Sequence, residues 1–298
     1  MTPARWHDLL DPSRQELLDA LGVVVDPDVI EELLAKPTQR PRPLLEGHGR
    51  YVFGIFVAMA PMPDADLITS QEIGFVATTE RLVTVRKTPP EGAPWSPESL
   101  EVAGGGASVG ELVFHLVDSA ADSFLEVVDA ADTEIDELED HIEDWPSVRV
   151  RRRISALRHD LIHARRTVGA TRGKVRRITD KRLDIDDEGL FPEQVERLFA
   201  DTYETLFRAG EELDVARDLL ASSRDYHQSL IAENQNEIVK VLTVIASLVL
   251  VPTLIVGFYG QNFVHAFNDF YWSLSVSLGL IVASTVLQLL LYRWRRWI

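Results

Sequence analysis

The stretch GFYGQNF, residues 257–263, separates two runs that carry no charge. Its chemistry lies in two neighbouring amides, Gln261 and Asn262. Neutral amides do not cleave bonds. They accept hydrogen bonds, and a hydrated divalent cation offers them through its bound waters. Magnesium holds those waters tightly in octahedral geometry, so a path that passes it need not strip it. Gln261 and Asn262 repeated in a ring can touch the water shell, where a ring of carboxylates would hold the ion too firmly for fast passage. The same two residues also suit a plain helix-ending turn, because amide side chains tolerate left-handed geometry.

The run before the amides has a second pattern. Residues 236, 239, 243, 246, 250, 253, 257 and 260 share one face at helical spacing. That face carries Asn236, Thr243, Thr253 and Gly257 among apolar groups such as Val239. The hydroxyls either line a path or bond the carbonyl one turn back. Pro252 removes one backbone hydrogen bond from this helix.

Residues 241–259 and 273–292 are uncharged and long enough to cross about 30 Å of hydrocarbon. The few residues between them leave room for a loop and not a domain. Arg293, Arg295 and Arg296 follow the second run, which places the C-terminus in the cytosol. Two crossings then return the N-terminal part to the cytosol, and the N-terminal stretch has no apolar core of signal-peptide length. Tyr271, Trp272, Tyr292, Trp294 and Trp297 stand where interfacial aromatics are expected. Two helices cannot enclose a water-filled path, so transport requires several copies around an axis.

Upstream elements must carry these segments. DPSRQELLDALG reads as a short helix stopped at Gly22, RYVFGIFVAM (50–59) as a buried strand, and residues 74–88 as a hairpin about the turn Thr78-Thr79-Glu80. Phe124, Val128, Ala131, Ile135, Leu138 and Ile142 form a heptad seam on a helix with 12 acids and no Lys or Arg between 118 and 144. Residues 148–182 invert the sign, with 13 Lys or Arg against two Asp, and read as a helix packed antiparallel on the acidic one. Val195, Phe199, Thr202, Leu206, Ala209, Leu213, Ala216 and Leu220 continue a heptad-like face on a third helix, with no clear stop before the membrane run.

The bulk numbers exclude several classes. A net charge of −17 over 298 residues argues against nucleic acid as a partner. Zero cysteines rule out disulfides, thiolate metal sites and cysteine nucleophiles. The eight histidines show no HExxH spacing, and no nucleophile or Walker motif occurs, so no enzymatic activity is expected.

The run QNEIVKVLTVIASLVLVPTLIVGFYGQNF (235–263) closely resembles the pore helix of the CorA magnesium transporter family, where a similar run ends in Tyr-Gly-Met-Asn-Phe. The tail RWRRWI (293–298) resembles that family's basic, Trp-containing end. The resemblance implies a pentameric funnel: an α+β cytosolic domain, a long helical stalk and two C-terminal transmembrane helices. On that plan residues 1–115 form the α/β domain and 116–190 an acidic/basic helical hairpin. Residues 191–240 form the stalk, 241–260 the pore helix, 261–272 the external loop, and 273–298 the second crossing and basic tail. The chain is then a multi-pass protein of the cell inner or plasma membrane, with lipid and its own copies as partners.

The same resemblance implies selection at the mouth by Gly260, Gln261 and Asn262. It implies pore positions at Asn236, Leu242, Leu250, Thr253 and Gly257, with the two leucines as hydrophobic constrictions. Asp201, in LFADTYET, corresponds to an aspartate of a regulatory magnesium site between cytosolic subunits. This sequence departs from the pattern at Gln261, which replaces methionine, at Pro252, one residue later than usual, and in the loop. There Asp269 is the one acid, suited to attracting cations. The expected function is magnesium uptake down the electrochemical gradient, with cytosolic divalent cations closing the pore. Cobalt, nickel and zinc remain alternative cargoes, and a zinc transporter of the same fold is the second reading, with His265 as a softer ligand in the loop. A membrane-tethered scaffold without flux is a remote third, which gains nothing from Asn262.

Overall fold

The computed structural model describes residues 5–36, 41–61, 68–89, 93–96, 98–103, 106–186, 189–262 and 270–297. The chain divides into two compact units, Met1–Arg224 and Asp225–Ile298.

In the first unit, strand β3 (Val52–Pro61) is buried along nearly its whole length because both of its faces are covered. It pairs antiparallel with β2 (Leu44–Gly47) on one side and β4 (Ile68–Ala77) on the other. A turn at residues 78–80 leads to β5 (Arg81–Arg86), which pairs antiparallel with β4 and parallel with β1 (Arg5–Leu10). The sheet order is β1-β5-β4-β3-β2. Helices α1 (Arg14–Leu21) and α2 (Pro27–Leu34) cover one face, packing Leu17, Leu21, Ile30 and Leu33 on Phe53, Ile55, Val76 and Val85. The alternate residues of β3 face the other layer, beyond α3 (Glu98–Ala103), where α4 (Val109–His141) packs. Ser123 of α4 accepts a hydrogen bond from the Met59 amide at 2.9 Å.

Local chemistry fixes the boundaries. Ser13 and Ser108 each begin a helix with a capping box, answered by Glu16 and Glu111. Gly22 ends α1 at φ +60°, and a Cβ there would lie 2.2 Å from Arg81 Nη1. The sequence gives little sign of β1. That strand is held by side-chain bonds across the sheet: Trp6 Nε1 donates to Thr84 Oγ1 at 3.1 Å, and Arg86 pairs with Asp8.

The acidic helix α4, the basic helix α5 (Ser147–Thr179) and the first part of α6 (Glu193–Asn262) pack together. All six seam residues of α4 and all eight on α6, Val195 to Leu220, are buried. Glu134 pairs with Arg153 between α4 and α5, and Arg165 reaches Asp214 of α6 at 2.9 Å. Thr202 donates to Asp118 at 2.7 Å and Ser223 to Glu139 at 2.6 Å, so α4 and α6 run parallel in register. Partial burial and then the nearby Asp118 and Glu126 hold the Asp122 carboxyl above the ordinary aspartate range. The hydrogen bond from Arg165 holds Asp214 below it.

Two outcomes follow for stability. Phe124 is fully buried, and Phe124→Ala should destabilise the folded chain by about 3–5 kcal/mol in denaturant titration. Asp214 has a folded pKa below its unfolded value, so its contribution is present at neutral pH and is lost as pH falls through the folded pKa. Asp214→Asn should therefore lower stability at pH 7 by about 0.2–1 kcal/mol, as for a half-exposed ion pair, and by nothing at pH below the folded pKa.

Candidate functional site

The second unit holds the last part of α6 and helix α7 (Phe270–Trp294). Both are long and apolar enough to cross a membrane. Helix α6 continues through Pro252, whose missing N–H leaves the carbonyl of Leu248 without its intrahelical donor. The segment 261–272, expected as the external loop, is helical at both ends: α6 runs through Asn262 and α7 begins at Phe270.

Helix α7 covers one side of α6. Val244 is 6% exposed, and Ser247, Leu248, Val251, Pro252, Ile255 and Tyr259 are half-buried along the same stripe. The opposite stripe is bare. Asn236, Val239, Leu242, Thr243, Leu250, Thr253, Gly257 and Gly260 are all exposed, with Leu242 at 63% and Leu250 at 69%. At about 100° per residue Val239, Leu242, Leu250, Thr253, Gly257 and Gly260 lie roughly half a turn from the covered side, with Asn236 and Thr243 toward its edge. A Cβ added at Gly257 or Gly260 would meet nothing within 4 Å.

The hydroxyls on the bare stripe make the local bonds that the helix permits. Thr243 donates to the Val239 carbonyl and Thr253 to the Val249 carbonyl, each at 2.7 Å. The donated proton points into the backbone, and each oxygen keeps its acceptor lone pairs. A hydrated cation donates through its waters, so an acceptor is the group it can use.

Two polar side chains inside the apolar segments, Ser247 and Gln288, went unremarked in the sequence, and Tyr292 was read only as an interfacial aromatic. The Ser247 hydroxyl lies 2.9 Å from the Val244 carbonyl and shares a hydrogen bond of 2.5 Å with the hydroxyl of Tyr292 on α7. Gln288 Nε2 lies 3.5 Å from the Ser247 carbonyl. Their signal was a polar residue repeated four positions apart, Gln288 and Tyr292, on one side of an otherwise apolar helix.

The remaining expected residues lie apart from this stripe. Gln261 and Asn262 are the last two residues of α6, and their side chains lie outside the described part, as do His265 and Asp269. Asp201 belongs to the first unit and is exposed beside the buried Thr202. Among the described residues no three His, Asp or Glu side chains gather as a metal-binding group, at Asp201 or elsewhere.

Known proteins share this architecture. The CorA-like Mg2+ transporter protein family matches residues 4–294. The cobalt/magnesium transport protein CorA of Thermotoga maritima is 21% identical over 301 residues, covering 98% of this chain and 83% of its own. The full-length CorA magnesium transporter of Methanocaldococcus jannaschii superposes with a TM-score of 0.78 at 20% identity, over 98% of this chain and 91% of that one. The full-length CmaX protein superposes at 0.71 with 18% identity, over 100% and 90%. With a family match across nearly its whole length and two apolar helices at its end, the chain belongs to the CorA-like divalent-cation transporter family of membrane proteins.

Proposed function

We propose that this protein is a homopentameric magnesium channel in which the bare stripe of α6 lines the pore. The observation that carries the reading is the division of α6 into two sides. One is covered by α7, and the other presents Asn236, Val239, Leu242, Leu250, Thr253 and Gly257, all exposed among the described residues. Copies arranged about an axis give that stripe a common lumen. Asn236, Thr243 and Thr253 then present acceptors to the waters of the passing ion. Leu242 and Leu250 narrow the lumen with apolar rings that resist wetting when the pore is closed. Gly260, Gln261 and Asn262 end the helix where the ion enters, and their amides select the hydrated ion. Asp269 raises the cation concentration outside.

Arg293 in the last turn of α7 and Arg295 and Arg296 after it are exposed, and such residues favour the cytosolic side of the cell membrane. Both termini then lie in the cytosol, with Asp201 on a surface where a cytosolic divalent cation regulates the pore between copies. The membrane potential drives uptake: a divalent cation entering across 100 mV gains about 4.6 kcal/mol, from about 2.3 per charge. Magnesium is the principal cargo, and cobalt is the second named for the Thermotoga maritima relative.

Uptake into proteoliposomes under an inside-negative potential tests this reading. Magnesium should enter, and Asn262→Ala should reduce the rate about tenfold or more, equivalent to about 1.4 kcal/mol. Zinc flux without magnesium flux would transfer the chain to a transition-metal cargo. No flux of magnesium, cobalt, nickel or zinc from an assembled oligomer would overturn transport. A Cβ at Gly257 meets nothing within 4 Å among the described residues, so Gly257→Val should leave folding intact by thermal scan while lowering uptake.

A further inference from the structure

Helix α7 ends in a hydrogen-bonded cap that reaches the pore helix. Arg296 sits at φ +55°, a left-handed conformation that residues other than glycine rarely adopt. Its amide donates to the Arg293 carbonyl at 3.1 Å, and the Trp297 amide donates to the Tyr292 carbonyl at 2.9 Å. These two bonds form a Schellman motif, which closes a helix end and brings the residue after the left-handed one onto the residue that starts the last turn. Here the pair is aromatic: Trp297 stacks on Tyr292 with ring centroids 5.8 Å apart and planes 7° from parallel. The tail therefore holds the Tyr292 ring at the point where its hydroxyl meets Ser247.

The Ser247 hydroxyl lies 2.9 Å from the Val244 carbonyl and 2.5 Å from the Tyr292 hydroxyl, and either hydroxyl can donate in the second bond. Gln288, one turn earlier on α7, approaches the Ser247 carbonyl at 3.5 Å. Its Oε1 is buried without a partner among the described residues, and hydrocarbon supplies no donor, so rotation of α6 away from α7 would expose further unpaired polar groups. Ser247 lies between Leu242 and Leu250 along α6, on the covered side, while Ala246 beside it faces away.

We propose that Tyr292, steadied by Trp297 and bonded to Ser247, is a positioning residue that fixes which face of the pore helix turns to the axis. The proposal rests on the pore reading above. An apolar contact between α6 and α7 can slide or rotate at small cost, whereas one hydrogen bond in a lipid environment selects a single azimuth. Loss of the bond should let α6 rotate about its axis and carry the Leu242 and Leu250 rings out of alignment.

The chain has no cysteine, so single introduced cysteines report cleanly. In the full-length protein in membranes, Ala246→Cys should cross-link between copies on oxidation, and Ile245→Cys, on the flank, should do so weakly. Tyr292→Phe keeps the stacked ring and removes only the hydroxyl. It should lower the ratio of cross-linking at 246 to that at 245 by about threefold, the effect of losing one average hydrogen bond between membrane helices. Ser247→Ala should do the same, and the two together should do no more than either alone. Ser247→Thr should restore the ratio by restoring the hydroxyl, and Trp297→Ala should lower it through the tail. Oligomer size on gel filtration serves as the folding control for each variant, and magnesium uptake should change with the ratio. Efficient cross-linking at 246 with a ratio unmoved by Tyr292→Phe, Ser247→Ala and Trp297→Ala would overturn the latch and leave the pore reading standing. Absence of cross-linking at 246 in the parent would overturn the pore reading and the latch together.

Discussion

A hydrocarbon environment offers a polar group no partner except the protein itself. That constraint shapes the second unit. Residues 241–262 keep helical backbone bonds throughout, except where Pro252 removes a donor. Thr243 and Thr253 turn their protons to carbonyls one turn back. Ser247, Gln288 and Tyr292 gather where α6 meets α7. The polar groups thus sort into two kinds: those bonded within α6, whose oxygens stay open as acceptors on the bare stripe, and those spent in joining the two helices. The first kind suits an ion that arrives with its waters. The second kind orients the stripe.

The first unit solves a different problem in water. Its sheet is covered on both faces, so β3 could be apolar in succession without exposing anything. The charges go to the helices. Acids dominate α4 and bases dominate α5, and ion pairs such as Glu134–Arg153 and Arg165–Asp214 join the basic helix to its neighbours. Some acids, among them Asp122, are harder to ionise because they are partly buried and then because other acids stand beside them.

Much of this fold was legible in the sequence because it rests on period and caps. The seam from Phe124 to Ile142, the face from Val195 to Leu220 and the hairpin around Thr78 are patterns within one segment, and the structure follows them. Strand β1 was not legible. Its Trp6, Asp8 and flanking charges look like loop until Thr84 and Arg86 are beside them, and those partners are more than 70 residues away. The same holds for the site. Helical spacing groups Asn236, Val239, Thr243, Leu250, Thr253, Gly257 and Gly260 on one face, and all of them are exposed. It could not say which side α7 would cover, or that the serine hydroxyl at 247 would find a tyrosine 45 residues later. A pairing between helices leaves no periodic trace in either one.

The two bonds between α4 and α6 join Asp118 to Thr202 and Glu139 to Ser223, and each spans 84 residues of sequence. Equal offsets across 21 residues, three heptads, mean that the helices share one period and one pitch over about 31 Å at 1.5 Å per residue. Such a pair cannot creep. Displacing α6 lengthwise by a single residue would rotate every seam side chain by about 100° out of its socket, and the next acceptable register lies a whole heptad, about 10 Å, further on. Along its axis this part of α6 therefore behaves as a rigid rod geared to α4, able to transmit a tilt or a twist but not a stroke.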